Sequence, residues 1–456
     1  MSNPFREIDR NQPITLPGGM TGWLDENDLA RFIVELVETL DTRAIEAAYR
    51  GGGSAPYLPK MMLALLFYCS AKGIFSSRKI EQATYELIPV LYIAGGTHPD
   101  HDTINTFRQR FLPEFEALFV QVLTIAQELG VLTLGEVSLD GTKIEANASK
   151  HAAMSWGYAQ RLELQLKAEV QRLLERAAAA NDSGAVELDG PAELTRREDR
   201  LQKIAEVKAE IERRAAARYC QEQVAYEEKQ AERAAKEQAR GQKLGGKKPR
   251  EPVPGPRPND QVNFTDGDSR IMPVAGGGFE QAYNAQATVT MGSLLIVGAH
   301  VTQNPNDKQE MEPALAEWAK LPETLGAVNQ IAADPGYFSH HNVESVVNAG
   351  IEPLIAVGHQ SHHAALEERL APVPEAPLNT DALEAMKHRL KTPDGKAVYA
   401  RRKTTVEPVF GIIKAVMGFR QFSLRGLAKV KGEWRRVCLA YNLKRLCVLN
   451  QGVLAA

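Results

Sequence analysis

The sequence predicts an α/β protein whose mixed five-stranded sheet is flanked by helices, preceded by an all-α segment and interrupted by a long helical hairpin. Three observations predict this class. Residues 24–130 place apolar side chains at three- and four-residue steps, as amphipathic helices do. Residues 158–240 are rich in Ala, Glu, Lys, Arg and Gln, which favours long charged helices. Short β-rich runs at 136–144 and after 261 alternate with helical runs, as in layered α/β folds.

The N-terminal segment, 1–130, is expected to be helical. LARFIVELVETL and MMLALLFYCSA are apolar at helical spacing. THPDHDTINTFRQRF predicts a loop followed by a helix with Asp102 or Thr103 as its N-cap. Arg108 and Arg110, expected to be exposed on this helix, suit a helical domain that binds DNA or mediates dimerisation. A plain helical bundle fits the same pattern.

Residues 158–240 predict a coiled-coil-like hairpin of two antiparallel helices, joined by the turn-rich segment 181–193. The hairpin could be an arm for dimerisation or for clamping a second DNA end, or it could pack only on itself. Residues 241–260 form a Gly/Pro/basic linker by composition, and the basic run within 241–250 is the better candidate for a DNA contact. Trp156 could stack on a flipped base, pack in the core or dock against the hairpin.

The segments 131–157 and 261–450 are expected to form the α/β domain. AYNAQATVTM and SLLIVGAHVTQ predict two strands that turn at Gly292-Ser293. DKQEMEPALAEWAKL predicts a helix, VNQIAADPGYFS a strand, HNVESVVNAG a helix and IEPLIAVG a strand. In this order the first and fourth strands can lie side by side.

Charge and composition narrow the class of protein. The formal net charge is −3, yet residues 381–456 contain 16 Lys+Arg and 5 Asp+Glu, a difference of +11. That segment indicates a polyanion contact, with a solvated helix face as the alternative. No apolar run of about 18 residues and no secretory signal is present, so a cytoplasmic protein without a membrane partner is expected. The four scattered cysteines indicate free thiols, not a disulfide frame.

Asp140 and Asp334 each follow an apolar, β-rich run, in VSLDGTKIEA and IAADPGYFS. If their strands are neighbours, the two carboxylates meet at one sheet edge, where they repel unless a cation lies between them. Oxygen ligands suit Mg²⁺ or Mn²⁺, and two such ions support phosphodiester cleavage. Gly141 and Thr142 would leave room for metal and phosphate. Each aspartate alone could equally be a cap or turn residue, so a third ligand is needed.

Glu407 supplies that third carboxylate. It lies in TVEPVFGIIK among Arg402, Lys403 and Lys414, where it would either form salt bridges or belong to a phosphate-handling site. Lys414 is seven positions after Glu407, with six residues between them, which would place both side chains on one face of an α-helix.

Several ordered motifs resemble the catalytic core of bacterial insertion-sequence DDE transposases, which have an RNase H-like fold. They are LDGTKIEANASK, the YNAQ of 283–286, ADPGYFS, and the run from Tyr399 through TVEPVFGIIK and GFRQFSLRG to AYNLKRL. The resemblance extends to about Leu446, interrupted by the hairpin. The stretch from YLPKMMLALLFYCSA to HDTINTFRQRF resembles the helical domain that precedes this core.

The resemblance implies that Asp140, Asp334 and Glu407 are catalytic and hold two Mg²⁺ ions, for which Mn²⁺ can substitute. It also implies cleavage at transposon ends, joining of the 3′ ends to target DNA, and a homodimer bound to double-stranded DNA in the nucleoid. The family signature is Tyr-x2-Arg-x3-Glu-x6-Lys, but four residues separate Arg402 from Glu407, so either Arg402 or Lys403 is its arginine. The candidate DNA contacts are Tyr399, Arg402, Lys403, Lys414, Arg108, Arg110 and Arg425.

Two other functions remain open on the sequence. A domesticated derivative would bind DNA without cutting it, and an RNase H-like nuclease would cut without strand transfer. Zinc binding at HPDHD (98–102) or HHAALEE (362–368) is the weaker interpretation of those motifs, which suit loops and helix caps better. His340 and His341, close to Asp334 in sequence, are expected to be solvent-exposed.

Overall fold

The computed structural model describes residues 19–49, 55–183, 190–243, 245–246, 248–274, 276–358 and 381–454. The chain divides into two compact units. Unit 1 contains the residues up to Ala146, Met272–Gly278 and the residues from Ala282 onward. Unit 2 contains Asn147–Ile271 and Phe279–Gln281.

Helices account for much of both units. The α-helices are α1 Leu29–Thr39, α2 Arg43–Glu46, α3 Pro59–Ala71, α4 Ser77–Glu86, α5 Ile88–Ile93, α6 His101–Arg110, α7 Glu114–Glu128, α8 Trp156–Ser183, α9 Gly190–Arg240, α10 Met311–Trp318, α11 His340–Asn348, α12 Ala382–Arg389, α13 Pro393–Arg401, α14 Val406–Gly411 and α15 Leu427–Leu454. A π-helix, Ile412–Val416, continues α14. Short 3₁₀ helices span Met20–Trp23, Lys150–Ala152, Glu323–Leu325 and Pro335–Tyr337.

The strands of unit 1 form the predicted mixed sheet, and two short strands pair in unit 2. The strands are β1 Gly135–Glu145, β2 Ala153–Ser155, β3 Gln261–Asn263, β4 Arg270–Pro273, β5 Phe279–Thr290, β6 Ile296–Thr302, β7 Val328–Ala333 and β8 Glu352–Ile355. The five predicted strands lie in the order β6-β5-β1-β7-β8, and β4 also pairs with β5. β1 is antiparallel to β5 and parallel to β7, which is parallel to β8. The predicted α/β class is therefore confirmed.

The central strand β1 is longer than the sequence suggested. It was expected to end at Asp140, but it runs to Glu145 because β5 continues to pair with it as far as Ala282. On the other side its pairing with β7 stops at Leu139. At the last residue of β1, the segment Arg420–Phe422 lies alongside the strand, and the N–H of Phe422 donates to the Glu145 carbonyl at 2.8 Å. Asp140 thus lies inside β1, at the place where one neighbour ends.

The last helix, α15, fixes the antiparallel half of the sheet. Trp434 is fully buried, and its indole N–H donates to the Gln286 carbonyl of β5 at 2.9 Å. Asn442 makes two hydrogen bonds to the backbone of Ile296 in β6, of 2.9 and 2.7 Å. α15 also packs against α3 and α7, so the N-terminal helices share the core of unit 1.

Three details of unit 1 differ from the expectation. Asp100 is the N-cap of α6, since its carboxylate accepts the N–H groups of Asp102 and Thr103, so the assignment of those two residues as caps is wrong. α10 begins at Met311 and not at Asp307, because Glu310 is held in the preceding loop by His300 at 3.0 Å and Asn304 at 2.8 Å. The stretch after Glu407 is not a regular α-helix, because the π-helix begins at Ile412.

Unit 2 contains the predicted hairpin. Its helices bury a shared apolar seam formed by Leu162, Leu166, Ile204, Val207 and Ile211. Glu163 meets Lys208 at 2.6 Å and Glu169 meets Arg197 at 2.9 Å, so the helices run antiparallel, as the sequence predicted. The loop between them lies outside the described residues at 184–189.

The Pro-rich segment after the hairpin packs back on α9. Asp260 forms an ion pair with Arg218 at 2.8 Å, and Arg257 pairs with Glu222 at 2.8 Å. Arg218 also donates to the Gly255 carbonyl at 3.0 Å. The residues around 255–260 therefore contact the helix and do not simply span a gap.

Candidate active site

The pairing of β1 with β7 brings the two predicted aspartates together. Leu139 lies opposite Ala333 in the parallel register, and Asp140 and Asp334 are the residues that follow them in the chain. The prediction that the first and fourth strands are neighbours is confirmed. Asp334 does not extend β7; its carboxylate accepts the Gly336 N–H at 2.8 Å and caps the 3₁₀ turn Pro335–Tyr337.

Both aspartates are harder to ionise than usual. Burial raises the pKa of Asp140 to about 7, and the neighbouring charge of Asp334 adds to the effect. The Gly141 N–H, 2.8 Å from Asp140 Oδ1, acts in the opposite direction. Burial also raises the pKa of Asp334, opposed by the Gly336 N–H and by Arg402. A cation between the two carboxylates would relieve this cost.

Arg402 links the first aspartate to the glutamate. Its Nη1 lies 3.5 Å from Asp140 Oδ2, and its Nη2 lies 3.8 Å from Glu407 Oε1. Arg402 is 8% exposed, whereas its neighbour Lys403 is exposed. Since α13 ends at Arg401 and a turn follows, the extra residue of this sequence is accommodated between α13 and α14. Of the two candidates, Arg402 is the one that contacts the carboxylates.

Glu407 lies in the first turn of α14, at the open side of the group. Its side chain is 54% exposed, compared with 17% for Asp140. Among the described residues, no three His, Cys, Asp or Glu side chains converge closely enough to form a metal site. The donor set nevertheless fits a hard divalent cation. Asp140 and Asp334 lie side by side at a cost that a cation would offset, and Arg402 already places a positive charge between Asp140 and Glu407.

A fourth carboxylate, Asp307, was not predicted as part of the site. Its Oδ1 accepts hydrogen bonds from Asn284 Nδ2 and Gln286 Nε2, each at 2.7 Å. Lys143 Nζ lies 3.7 Å from the same oxygen. Sequence reasoning placed Asp307 in a helix and quoted YNAQ only for its resemblance. The available signal was the pair of amides on an otherwise apolar strand, since buried amides require partners.

The sequence suggested that Gly141 leaves room for metal and phosphate. This prediction is wrong, because other side chains occupy the space beside Gly141. A Cβ atom at Gly141 would lie 2.2 Å from Gln286 Nε2, 2.6 Å from Asp307 Oδ1 and 2.9 Å from Asn284 Oδ1. These three side chains fill the space, so glycine is required here for their close approach to β1.

Tyr399 lies near the two aspartates, and both Tyr399 and Lys414 are partly buried. Lys414 Nζ donates to the Lys143 carbonyl at 2.9 Å, and burial, together with the nearby Arg420 and Lys143, lowers its pKa. The Arg402 guanidinium lies 5.8 Å from the centre of the Tyr399 ring, within cation–π range. Burial raises the pKa of the Tyr399 hydroxyl.

The remaining candidate DNA contacts differ in exposure. Arg108 is buried, donating to the Phe75 carbonyl at 3.0 Å and to Asn105 Oδ1 at 2.7 Å, so the prediction that it is exposed is wrong. Its position on the inner face of α6 directs it into the bundle. Arg110 is exposed and donates to the Ala48 carbonyl at 2.6 Å. Arg425 is exposed.

The other sequence candidates have structural partners. His98 stacks on Tyr85 with ring centres 3.8 Å apart, and His101 pairs with Glu81 at 2.7 Å. His341 is exposed and pairs with Glu312 at 2.7 Å, outside the carboxylate group. Trp156 packs against the hairpin seam, so the docking interpretation is confirmed. The motif at 362–368 lies outside the described residues.

Comparison with known families gives two matches in chain order. Residues 20–110 match a family model described as a transposase domain, and residues 372–447 match one described as a transposase DDE domain. The second match includes Tyr399, Arg402, Glu407 and Lys414. No curated protein and no solved structure matches the chain. The described part of the chain contains no helix long and apolar enough to cross a membrane.

Proposed function

The chain is an insertion-sequence transposase of the DDE class, and on that premise we propose that Asp140, Asp334 and Glu407 are its catalytic carboxylates. The DDE domain implies the RNase H-like fold for the sheet and its helices. We propose further that the protein cuts DNA at transposon ends and joins the freed 3′ ends to target DNA. Transposition makes DNA its partner, and a homodimer is the proposed active form.

One observation carries the assignment of the site. Residues 140, 334 and 407 are far apart in the chain, yet the β1–β7 register makes the two aspartates neighbours, and Arg402 contacts both Asp140 and Glu407. Separate caps or surface charges would not need one buried arginine to approach two of them. The arrangement supports a single polar centre at the end of β7.

The three carboxylates and Arg402 would have different roles in catalysis. Asp140, Asp334 and Glu407 would hold two divalent ions, which when bound supply an activated water and stabilise the leaving oxygen. Mg²⁺ is the proposed ion, with Mn²⁺ as a substitute. The residues packed around Asp140 bury its carboxylate and exclude water from it. Electrostatic interactions of this carboxylate are therefore stronger than they would be in water. Arg402 holds Asp140 and Glu407 in one orientation.

The DNA contacts are proposed on exposure and charge. Lys403 and Arg425 are exposed cations in the matched DDE segment. Tyr399 lies beside Arg402, and Lys414 donates to the Lys143 carbonyl of β1. Such DNA contacts position a duplex through its phosphates without reading its sequence. In the N-terminal helices Arg110 keeps an exposed side chain, whereas Arg108 serves the bundle interior. Residues 1–130 are proposed as the DNA-binding and dimerisation domain, and 131–157 with 261–450 as the catalytic domain.

The test uses DNA that carries the inverted repeats flanking the gene itself, with Mg²⁺ and a supercoiled target plasmid. Asp140→Asn, Asp334→Asn and Glu407→Gln are each expected to reduce strand cleavage by about 1,000-fold or more, because several kcal/mol of transition-state stabilisation is lost. Glu312→Gln, which removes an exposed carboxylate paired with His341, is the matched control and should cut normally. Removing the metal with EDTA should stop cleavage by the wild type.

The same assay separates the alternative functions. Joined products on the target plasmid support transposition, and cleavage without joining supports the nuclease. Specific binding to the repeats without any cleavage supports the silent derivative. An Asp140→Asn variant that cuts at the wild-type rate would remove Asp140 from the catalytic set.

A further inference from the structure

Asp307 lies where a negative charge is unfavourable, because two other carboxylates are close to it. It contributes to the raised pKa of both Asp140 and Asp334, which already lie side by side. A carboxylate in such a place needs strong compensation from its other contacts. Those contacts therefore indicate what the residue does.

The compensation comes from two fully buried amides on β5. Asn284 and Gln286 each donate a side-chain N–H to Asp307 Oδ1 at 2.7 Å. Both residues are 0% exposed. Asn284 Nδ2 also donates to the Asn304 carbonyl at 3.2 Å, so it is the Gln286 amide that would lose its acceptor in the interior without Asp307. Lys143 of β1, 3.7 Å from the same oxygen, adds a positive charge. Asp307 is thus fixed to the two central strands.

The Gln286 side chain also contacts the 3₁₀ turn that Asp334 caps. The Tyr337 hydroxyl donates to Gln286 Oε1. Tyr337 is fully buried and belongs to the 3₁₀ turn that Asp334 caps. The Gln286 side chain therefore accepts a hydrogen bond from Tyr337 with its oxygen and donates one to Asp307 with its nitrogen.

A second bridge joins the Asp307 loop to this turn. The Asn342 amide donates to the Lys308 carbonyl at 2.8 Å and to the Tyr337 carbonyl at 2.6 Å. The residue after Asp307 and the last residue of the Asp334 turn are thus held by one side chain. The absence of a Cβ at Gly141 lets Asp307 and Gln286 approach β1 closely enough to complete the arrangement.

We propose that Asp307 is a positioning residue, which fixes Asp334 against Asp140 through Gln286 and Tyr337. It acts by accepting hydrogen bonds and does not itself contact DNA or metal. The inference rests on the proposed function, because it concerns the geometry of the proposed catalytic pair.

The experiment compares Asp307→Asn, Asp307→Ala and Tyr337→Phe. One readout is strand cleavage, and the second is the rise in melting temperature on adding Mn²⁺ to the metal-free protein. Asp307→Asn keeps a side-chain oxygen that can accept both amides, so it should retain cleavage to within about tenfold and keep the Mn²⁺ response. Asp307→Ala should lose about 100-fold in cleavage and most of the Mn²⁺ response, since small misplacements of reacting groups cost about that much. Tyr337→Phe should lower both readouts to a lesser degree.

Two results would overturn the proposal. If Asp307→Asn is as inactive and as unresponsive to Mn²⁺ as Asp140→Asn, the charge itself acts and Asp307 is not a positioning residue. If Asp307→Ala or Tyr337→Phe leaves both readouts unchanged, the network has no positioning role. Should Asp307→Ala fail to fold, Asp307→Asn and Tyr337→Phe decide the question.

The proposed function fails separately from this inference. It fails if the wild type shows no Mn²⁺ response, or if Asp140→Asn keeps the whole response. Glu312→Gln again serves as the control and should match the wild type in both readouts.

Discussion

The pKa of Asp140 is raised because of the place of this residue within β1. Asp140 follows the last residue paired with β7 but remains paired with β5, so its carboxylate is held beside Asp334 with little access to water. The sequence could predict this pair, since both aspartates follow β-rich runs. It could not predict Asp307, because that residue joins the site through amides on β5 and a tyrosine in a turn, which only the folded chain brings together.

The raised pKa of Asp140 predicts a pH-dependent stability in metal-free protein. Its pKa is 3.8 in its ordinary state and about 7 here, so the native state retains a proton that the unfolded chain has released. The contribution of Asp140 to the free energy of unfolding is complete below about pH 4 and is lost as the pH rises through about 7. Asp140→Asn cannot ionise. Its stability relative to the wild type should therefore increase by about 3 kcal/mol between pH 5 and pH 8.

The measurement is thermal unfolding in EDTA at both pH values, with Glu312→Gln as the control. A difference between Asp140→Asn and the wild type that stays constant with pH would contradict the prediction. Adding Mg²⁺ at pH 8 should raise the melting temperature of the wild type and leave that of the variant nearly unchanged.

At the scale of elements, the hairpin was the part most readily predicted. Apolar residues recur at helical steps in both helices, and two long charged helices can bury such a stripe only against each other. Boundaries were less predictable. The start of α10 depends on Glu310, which bonds to His300 and Asn304, and no local helix signal reports those contacts. The π-helix after α14 likewise has no signature in the residue spacing.

The seam predicts a localised loss of stability when one of its residues is shortened. Ile211 is 1% exposed in the seam, so Ile211→Ala should cost the hairpin about 2–4 kcal/mol through lost burial and the cavity left behind. Hydrogen–deuterium exchange should become faster in α8 and α9 but not in β5. Val224, on the same helix, is 57% exposed, so Val224→Ala should change neither region. Equal acceleration in β5 would contradict a self-contained seam.

At the scale of the whole molecule, the N-terminal helices and the sheet share one interior. α3 and α7 pack on α15, which also holds β5 and β6. The fully buried Arg436 donates to Ser70 of α3, and burial lowers its pKa to about 10. The sequence predicted two classes of structure but not this shared core, because α15 is apolar on several faces and its partner α3 lies more than 300 residues earlier.

A fragment containing only 131–456 should therefore fail to fold alone. Without α3 and α7, the apolar surface of α15 would be exposed to water, and Arg436 would lose Ser70. Expression should give aggregated protein, as measured by sedimentation and size-exclusion chromatography. Co-expression with a separate chain of residues 19–130 should restore solubility. A monomeric fragment with a cooperative melting transition would show that the sheet folds independently.

The position of the hairpin has a consequence for synthesis on the ribosome. β1 ends at Glu145, which pairs with Ala282, so 282 − 145 = 137 residues must be added before that contact can form. At ordinary translation rates this takes roughly 7–27 s, far longer than a helical hairpin needs to form. Its parallel partner β7 emerges later still. During this interval β1 is a nascent strand without its sheet partners, and the helices made before it are the elements already available to shield its apolar residues.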